Sequence, residues 1–403
     1  MNFDRTEEAR QLAASIARFV ERDYDFDTRR KIVGSAEGVS PEAWKTMAEL
    51  GLLGLCVPVD HGGFGGGAVD AMPVMEAIGE ALIVEPYLAT VGLGAQLIAR
   101  GGTQAQKERI LPAVVAGDLT LAFAQTETDA RYGLAHVATR ATRRDGGYLL
   151  EGDKRVVLHG EQAELILVSA RTAGSTGDDE GISLFLVERR APGVSVRGYR
   201  TLDGQRAADI ALSGVHMGDD AVVGNIGRAL PLIESVVDFA TALVCAEAVG
   251  AIRYANDATL EYLKARHQFG VAIGSFQALQ HRMVDLFIEY EQVQSMASLA
   301  CASVDKPTHA ATEAATRAAT HAATDVAADV ETAAAVRKRA VSAAKIRVAD
   351  ACRRVSQESV QLHGGMGMTD ELKVSHTFRR LTMIAQQFGD AEYHLERFAG
   401  LDL

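Results

Sequence analysis

The sequence has no basic excess: its 403 residues carry 41 Lys and Arg against 53 Asp and Glu, a net charge of -12. Phosphate polymers bind surfaces of opposite charge, so the balance argues against a nucleic-acid binder and leaves any anionic ligand to a few local groups. Cysteine is scarce. Cys56, Cys245, Cys301 and Cys352 are scattered through apolar stretches with no paired spacing, so they read as small core residues in a reducing compartment, not as a zinc site or a disulfide framework. The start, MNFDRTEEARQ, lacks the apolar run of a signal peptide, and no later stretch reads as apolar enough, free of charges, to cross a bilayer. These absences predict a cytoplasmic protein with no membrane partner. What is present is ordinary globular composition, 48% hydrophobic and 23% charged, in a chain long enough for two or three structural units.

From Thr6 to about residue 120 the apolar spacing is helical, with Leu12, Ile16, Phe19 and Val20 on one face and Ser40-Pro41 forming an N-cap followed by proline at the first helical position. The glycine-dense stretch from His61 to Gly67 is predicted as loop. Around Leu119 the period shortens into strands such as LTLAFAQ, GYLLEG, ELILVSA and ISLFLVE, separated by glycine-rich turns, which predicts an antiparallel β domain. After Asn225 helical spacing returns. Ser275 is predicted to cap a helix whose stripe of Phe276, Leu279, Met283, Leu286, Tyr290, Val293 and Ala297 forms a buried seam. Between Lys306 and about Arg337 lies an Ala/Thr tract in which Glu313, Arg317, His321 and Asp325 recur every fourth position. It reads as an exposed helical extension or a mobile insertion, and His309 and His321 share no spacing with further metal ligands.

Four short stretches stand out. Gln125-Thr126-Glu127 closes the first strand and Gly152-Asp153-Lys154 leads into another; Arg266-His-Gln-Phe269-Gly270, with Ile273 and Phe276-Gln277-Ala-Leu-Gln280-His281, follows a long apolar helix; Gln361 to Glu371 reads QLHGGMGMTDE. Around a dinucleotide these residue types have physical uses. Arg266 offers a fork of charge-assisted hydrogen bonds to a pyrophosphate. Phe269 offers an apolar face to an adenine or ribose, and Gln361 amide hydrogen bonds. Gly364 and Gly365 remove side chains where a helix ends, so backbone can approach a ligand. Each also has a bland reading: an arginine paired with a carboxylate, a core phenylalanine, a glycine C-cap.

Taken jointly, and with the order helices, strands, helices, the stretches resemble the acyl-CoA dehydrogenase family over nearly the whole chain outside the Ala/Thr tract. The resemblance implies an N-terminal helical domain (1–118), a middle antiparallel β domain (119–226) and a C-terminal four-helix bundle domain (227–403) with the Ala/Thr-rich insertion at about 305–337. It implies FAD as cofactor. Arg266, Phe269, Gln277, Gln361, Gly364 and Gly365 would contact the adenosine and pyrophosphate of a flavin bound largely by a neighbouring subunit, and Thr126 would belong to the flavin site of the β domain. The implied chemistry is removal of an α proton by a glutamate while the β hydride passes to the flavin, with an acyl-CoA thioester as substrate and electron-transfer flavoprotein as the expected acceptor.

The sequence departs from that family at the base. Where many members carry the glutamate after the glycine-rich motif, an ungapped reading reaches Phe388, followed by Gly389 and Asp390; where others carry it, early in the long helix, it reaches Ala240. Neither takes a proton. Asp390, two residues on, and Glu247, two helical turns on, are the substitute carboxylates, although a shift of about 10 Å along a helix exceeds the reach of proton transfer. In the β domain Arg131-Tyr132-Gly133 replaces a Gly-Ser-Asp segment, and Val156-Val157-Leu158-His159 replaces Trp-Ile-Thr-Asn, so the aromatic cover and hydroxyl partner of the flavin are missing. His159 is a weak substitute donor. This pattern resembles the base-lacking member of an α2β2 acyl-CoA dehydrogenase, most like the small subunit of pimeloyl-CoA dehydrogenase. It implies a homologous partner subunit carrying the catalytic glutamate, in the breakdown of fatty, dicarboxylic or steroid side-chain acyl groups. Two other readings stand beside it: a self-sufficient homotetramer using Asp390 or Glu247, and a non-enzymatic interaction protein on the same fold.

Overall fold

The computed structural model describes residues 7–318 and 323–401, leaving out the side chains of Glu8 and residues 306–330. Of the Ala/Thr tract, residues 319–322, with His321, therefore lie outside the described residues, and up to residue 330, His309 included, only the backbone is described. Helices lead: α1 (Glu7–Asp23), α2 (Phe26–Gly34), α3 (Pro41–Glu49), α4 (Ala68–Ala81), α5 (Ala95–Gly101) and α6 (Gln104–Ala116). The cap at Ser40 forms, its hydroxyl accepting from the Ala43 N–H at 3.1 Å with Pro41 at the first helical position. Strands follow: β1 (Leu121–Ala124), β2 (Arg140–Arg144), β3 (Gly147–Leu158), β4 (Leu165–Arg171), β5 (Ile182–Glu188), β6 (Val194–Arg200), β7 (Arg206–Met217) and β8 (Val222–Val223). The chain then returns to helix in α7 (Leu230–Ala265), makes a hairpin of β9 (His267–Gln268) and β10 (Val271–Ala272), and ends in α8 (Gln277–Ala318), α9 (Ala323–His363), α10 (Lys373–Gln386) and α11 (Ala391–Ala399). The C-terminal part is helical, with five described α-helices.

The eight strands β1 to β8 form one sheet, in the order β6-β7-β3-β2-β4-β5-β8 with β1 beside β4. The sheet is mixed, not purely antiparallel. Leu121 to Ala124 run parallel to Leu165 to Val168, because the long connection between β1 and β4, which contains the β2–β3 hairpin, lets the chain return in the same direction. Leu150, Ile166, Val168, Phe185, Ile210 and Val215 fill one apolar core against this sheet. Gly152 lies inside β3, not ahead of it. Its φ is +148°, and a Cβ there would sit 2.7 Å from the Thr139 Cα, so the strand requires glycine at that point.

Two compact units are present. One comprises residues 30–66 and 84–240 and contains the sheet; the other comprises residues 1–29, 67–83 and 241–403. In the second, α8 and α9 pack antiparallel, their register fixed by Arg282 with Glu358, Arg347 with Glu289, and Arg354 with Asp285 and Glu289. Helices α4 and α7 touch backbone to backbone at Gly79 and Gly250, where an added Cβ would fall 1.9 Å from the Glu247 carbonyl oxygen and 1.8 Å from that of Glu76. The apolar length of α7 corrects one sequence reading. It is long and apolar enough to cross a membrane, yet 94% of its most apolar window is buried within the protein, as for a core helix. The Ser275 expectation is also corrected. Its hydroxyl donates to the Ala272 carbonyl at 2.7 Å and α8 starts two residues later. Of the predicted stripe, Leu286, Val293 and Ala297 are fully buried, whereas Phe276 remains exposed.

Candidate functional site

At the C-terminal end of α7 the chain leaves the helix at Arg266 and turns back through Phe269 and Gly270, whose φ values of +56° and +81° are those of a tight two-residue hairpin turn. Such a turn favours Asn-Gly. A phenyl side chain at its first position is strained by about 1–3 kcal/mol, and Phe269 is 91% exposed with only the edge of the Phe276 ring beside it, centroids 6.2 Å apart. Packing within the chain therefore does not account for this residue. Arg266 is exposed and makes no ion pair to any described residue, and Gln277 is exposed at the start of α8. The end of α9 lies alongside, because Tyr262 stacks on His363 with ring centroids 4.5 Å apart. There Gln361 is exposed, and a Cβ on Gly364 or Gly365 would meet nothing within 4 Å; Gly367, by contrast, is pressed against the Val360 carbonyl. Gly364 needs its glycine for φ +59°, but neither conformation nor packing within this chain requires one at Gly365.

The two positions reached by the ungapped reading, Ala240 and Phe388, hold no acid. Ala240 is fully buried, and Phe388 occupies a turn at φ +60°. The Lys345 ammonium, buried on α9, donates to the carbonyls of Gly389 at 2.7 Å and Ala385 at 3.2 Å, and His394 Nε2 lies 3.2 Å from the Phe388 carbonyl oxygen. Burial pushes Lys345 down to about 8 and His394 down to about 3, so the imidazole is neutral and donates to that carbonyl. Asp390 is the N-cap of α11, its carboxylate accepting from the Tyr393 N–H at 2.9 Å. Glu247 is clamped by Arg380, with Nε to Oε1 at 2.6 Å and Nη2 to Oε2 at 2.7 Å. Both substitute carboxylates thus serve structural bonds: one orders a helix start and the other is half of a buried bidentate pair.

In the sheet unit, Thr126 is half-buried and its carbonyl accepts from the Arg155 N–H at 2.8 Å. Beside it Glu127 accepts from the N–H groups of Ala138 and Thr139 and from Lys154, whose ammonium is 2.7 Å away and also reaches Ser169 at 3.0 Å. Burial lowers Lys154 to about 8 even with Glu127 in contact. A bulge in β3 between Lys154 and Val157 leaves Val156 at φ +51° and half-exposed, while the buried His159 ring meets the Gln205 amide at 3.1 Å. The loop that carries Arg131, Tyr132 and Gly133 is tied down by Arg171, which is buried and donates to the carbonyls of Ala135 and Val137 on one side and Thr176, Asp178 and Glu180 on the other. The Gln125 side-chain oxygen is buried without a hydrogen-bond partner among the described residues. Among the described residues no group of three or more His, Cys, Asp or Glu side chains is placed to hold a metal.

Comparison with known proteins decides the family. Residues 6–118 match the acyl-CoA dehydrogenase N-terminal domain, residues 122–217 its middle domain, and residues 230–330 and 306–400 its C-terminal domain. This chain belongs to the acyl-CoA dehydrogenase family. An acyl-CoA dehydrogenase of Mycobacterium tuberculosis, fadE12, is 30% identical over 95% of this chain and 93% of its own length. The match to isovaleryl-CoA dehydrogenase of Solanum tuberosum, at 29% identity, spans 66% of this chain and 65% of that protein. Among solved structures, the ChsE4-ChsE5 complex from Mycobacterium tuberculosis is 26% identical with a TM-score of 0.81, covering 99% of this chain and 98% of that one. The FAD complex of PigA has the same fold, with a TM-score of 0.85 over 99% of this chain and 98% of its own at 23% identity.

FAD is the cofactor of an acyl-CoA dehydrogenase, and the residues present fit its nucleotide end: a guanidinium with no carboxylate partner among the described residues, an exposed strained aromatic, and two glycines facing open space. Sequence reading missed the groups that hold Glu247 and the turn at Phe388 in place. Arg380 and Lys345 sit in apolar helical surroundings, and a lone cation on such a face is the signal of a buried partner. That partner lies far away along the chain.

Proposed function

We propose that this acyl-CoA dehydrogenase chain is the base-lacking subunit of an α2β2 heteromer, completing the FAD site of a homologous partner that carries the catalytic glutamate. The carrying observation is the contrast at the base: Phe388 and Ala240 stand at both positions, and the two substitute carboxylates, Asp390 and Glu247, are committed to a helix cap and to Arg380. Bound FAD would supply the acceptor for the hydride from the β carbon of the acyl-CoA. Arg266 neutralises pyrophosphate charge, Phe269 covers the adenosine, Gln277 and Gln361 give amide hydrogen bonds, and Gly364 and Gly365 let backbone approach. The α proton goes to the partner's carboxylate. Assembly is supported by an apolar stripe on α8, where Val284, Phe287, Ile288 and Leu299 stay exposed on one chain. Electron-transfer flavoprotein as acceptor and a cytoplasmic location, in keeping with four buried free cysteines, belong to the same proposal.

The second reading, a self-sufficient homomer, is favoured by one observation, the unpartnered Gln125 oxygen in the sheet unit, which is free to accept from a flavin ring of the chain's own.

Two substitutions test the nucleotide end in the assembled enzyme. Arg266→Ala should weaken FAD retention by at least tenfold, whereas Arg353→Ala, removing an exposed arginine from α9, should leave it unchanged. Phe269→Asn should hold or raise the melting temperature, since asparagine suits the turn, and still loosen FAD. Equal FAD occupancy in all three variants, by absorbance near 450 nm against protein, would remove these residues from the site.

A further inference from the structure

Beyond the glycine segment lies a polar cluster that the proposed chemistry does not use. The segment Gly364–Met368 ends in a tight turn, with the Thr369 N–H and hydroxyl both bonded to the Met366 carbonyl at 3.1 and 3.0 Å. The next residue, Asp370, is held by α10. Its carbonyl oxygen lies 3.0 Å from His376 Nε2, and its carboxylate 3.3 Å from the same nitrogen and 2.6 Å from Arg379. On its other side His376 presents Nδ1 to Arg29 Nη1 at 3.0 Å, while Arg29 Nε donates to the Leu82 carbonyl at 2.9 Å. Arg29 is 1% exposed and His376 is 8% exposed, with the Phe26 ring edge-on to the imidazole at 5.0 Å.

The chemistry of arginine fixes the tautomer. A guanidinium only donates, so Nδ1 must be the acceptor and Nε2 must carry the proton that bonds Asp370. We propose that His376 is a positioning residue for the nucleotide end of the FAD site, bridging Arg29 to Asp370 and thereby fixing the turn that follows Gly364 and Gly365. The inference rests on the proposed role of those glycines, but the bridge itself does not depend on a partner chain.

A bridge of this kind exists only with a neutral ring. A second proton on Nδ1 would face Arg29 and break the contact. The charged groups around the ring are Arg29 from α2, Arg379 from α10 and Asp370 from the turn; Lys373, at the start of α10, lies over the Tyr254 ring and is drawn by Glu80. Burial, with Arg29 and Arg379 adding to it, holds the imidazolium below its ordinary 6.5 despite Asp370. For a base depressed in the folded state the stabilisation is complete above about 6.5 and is lost as pH falls below that value.

Amide hydrogen exchange on the full chain tests this, reading residues 366–372 between pH 5 and 8 with rates corrected for intrinsic pH dependence. Wild-type protection should be flat above about pH 6.5 and fall by up to roughly tenfold per unit below it. In His376→Asn, which keeps an acceptor toward Arg29, and in His376→Gln, which keeps a donor toward Asp370, the carboxamide does not titrate and protection should stay flat. A flat wild-type profile, or variants that retain its slope, would overturn the bridge. FAD retention by the assembled enzyme should follow the same pH window in wild type only. Loss of protection with unchanged FAD retention would overturn the positioning role, whereas an assembled enzyme without FAD at any pH would count against the proposed function and leave the exchange result standing.

Discussion

Glu247→Gln should lower stability by about 3–5 kcal/mol, because it leaves the Arg380 guanidinium buried opposite a neutral amide. The two side chains are 2% and 8% exposed, and both oxygens of Glu247 are engaged. The Gln387 side chain, 3.2 Å from Arg380 Nη2, can take over only part of the lost contact. Urea denaturation of the chain in its assembled state should show the midpoint fall. Replacing both partners, Glu247→Gln with Arg380→Met, should recover most of the loss, since no charge is then stranded. The surviving folded enzyme should turn over within a few-fold of wild type. A stable Glu247→Gln enzyme with activity reduced by orders of magnitude would instead make Glu247 the base.

The second large effect lies in the partner. Changing the partner's catalytic glutamate to glutamine should reduce turnover of the complex by about 10²–10⁴-fold, the range for losing a positioned general base. Asp390→Asn in this chain should leave turnover almost unchanged, because asparagine caps a helix as well as aspartate does and the bond from the Tyr393 N–H survives. Steady-state rates with saturating acyl-CoA and an electron acceptor separate the two. A large loss from Asp390→Asn would give the proton to this chain.

Local chemistry made much of the fold legible. The Ser40-Pro41 cap depends on four adjacent residues, and the alternation of the strands depends on one face being buried, so both can be read without the tertiary structure. The proposed nucleotide end stood out in the sequence for another reason: Arg266, Phe269 and Gly365 are residue types that folding of one chain does not require at those places. Non-local pairings were not legible. Glu247 and Arg380 are separated by 133 positions, and nothing near either one names the other. The parallel pairing of β1 with β4 is hidden in the same way, since periodicity fixes the face of a strand but not its neighbour. Gly152 and Ser275 were misplaced because glycine and serine read as punctuation, although one fills a close approach inside a strand and the other bonds back to Ala272. The apolarity of α7 specified burial without saying whether lipid or protein supplies it.

We infer that this chain builds half a flavin site and no base. The FAD content and acyl-CoA oxidation of the chain purified alone, set against the chain co-purified with a glutamate-bearing homologue, decide it. The chain alone should be colourless, inactive or unstable, and the complex should be an active enzyme with about one FAD per heterodimer, since each pair of chains completes a single site. A yellow protein that carries one FAD per chain and oxidises acyl-CoA rapidly without any partner would contradict it.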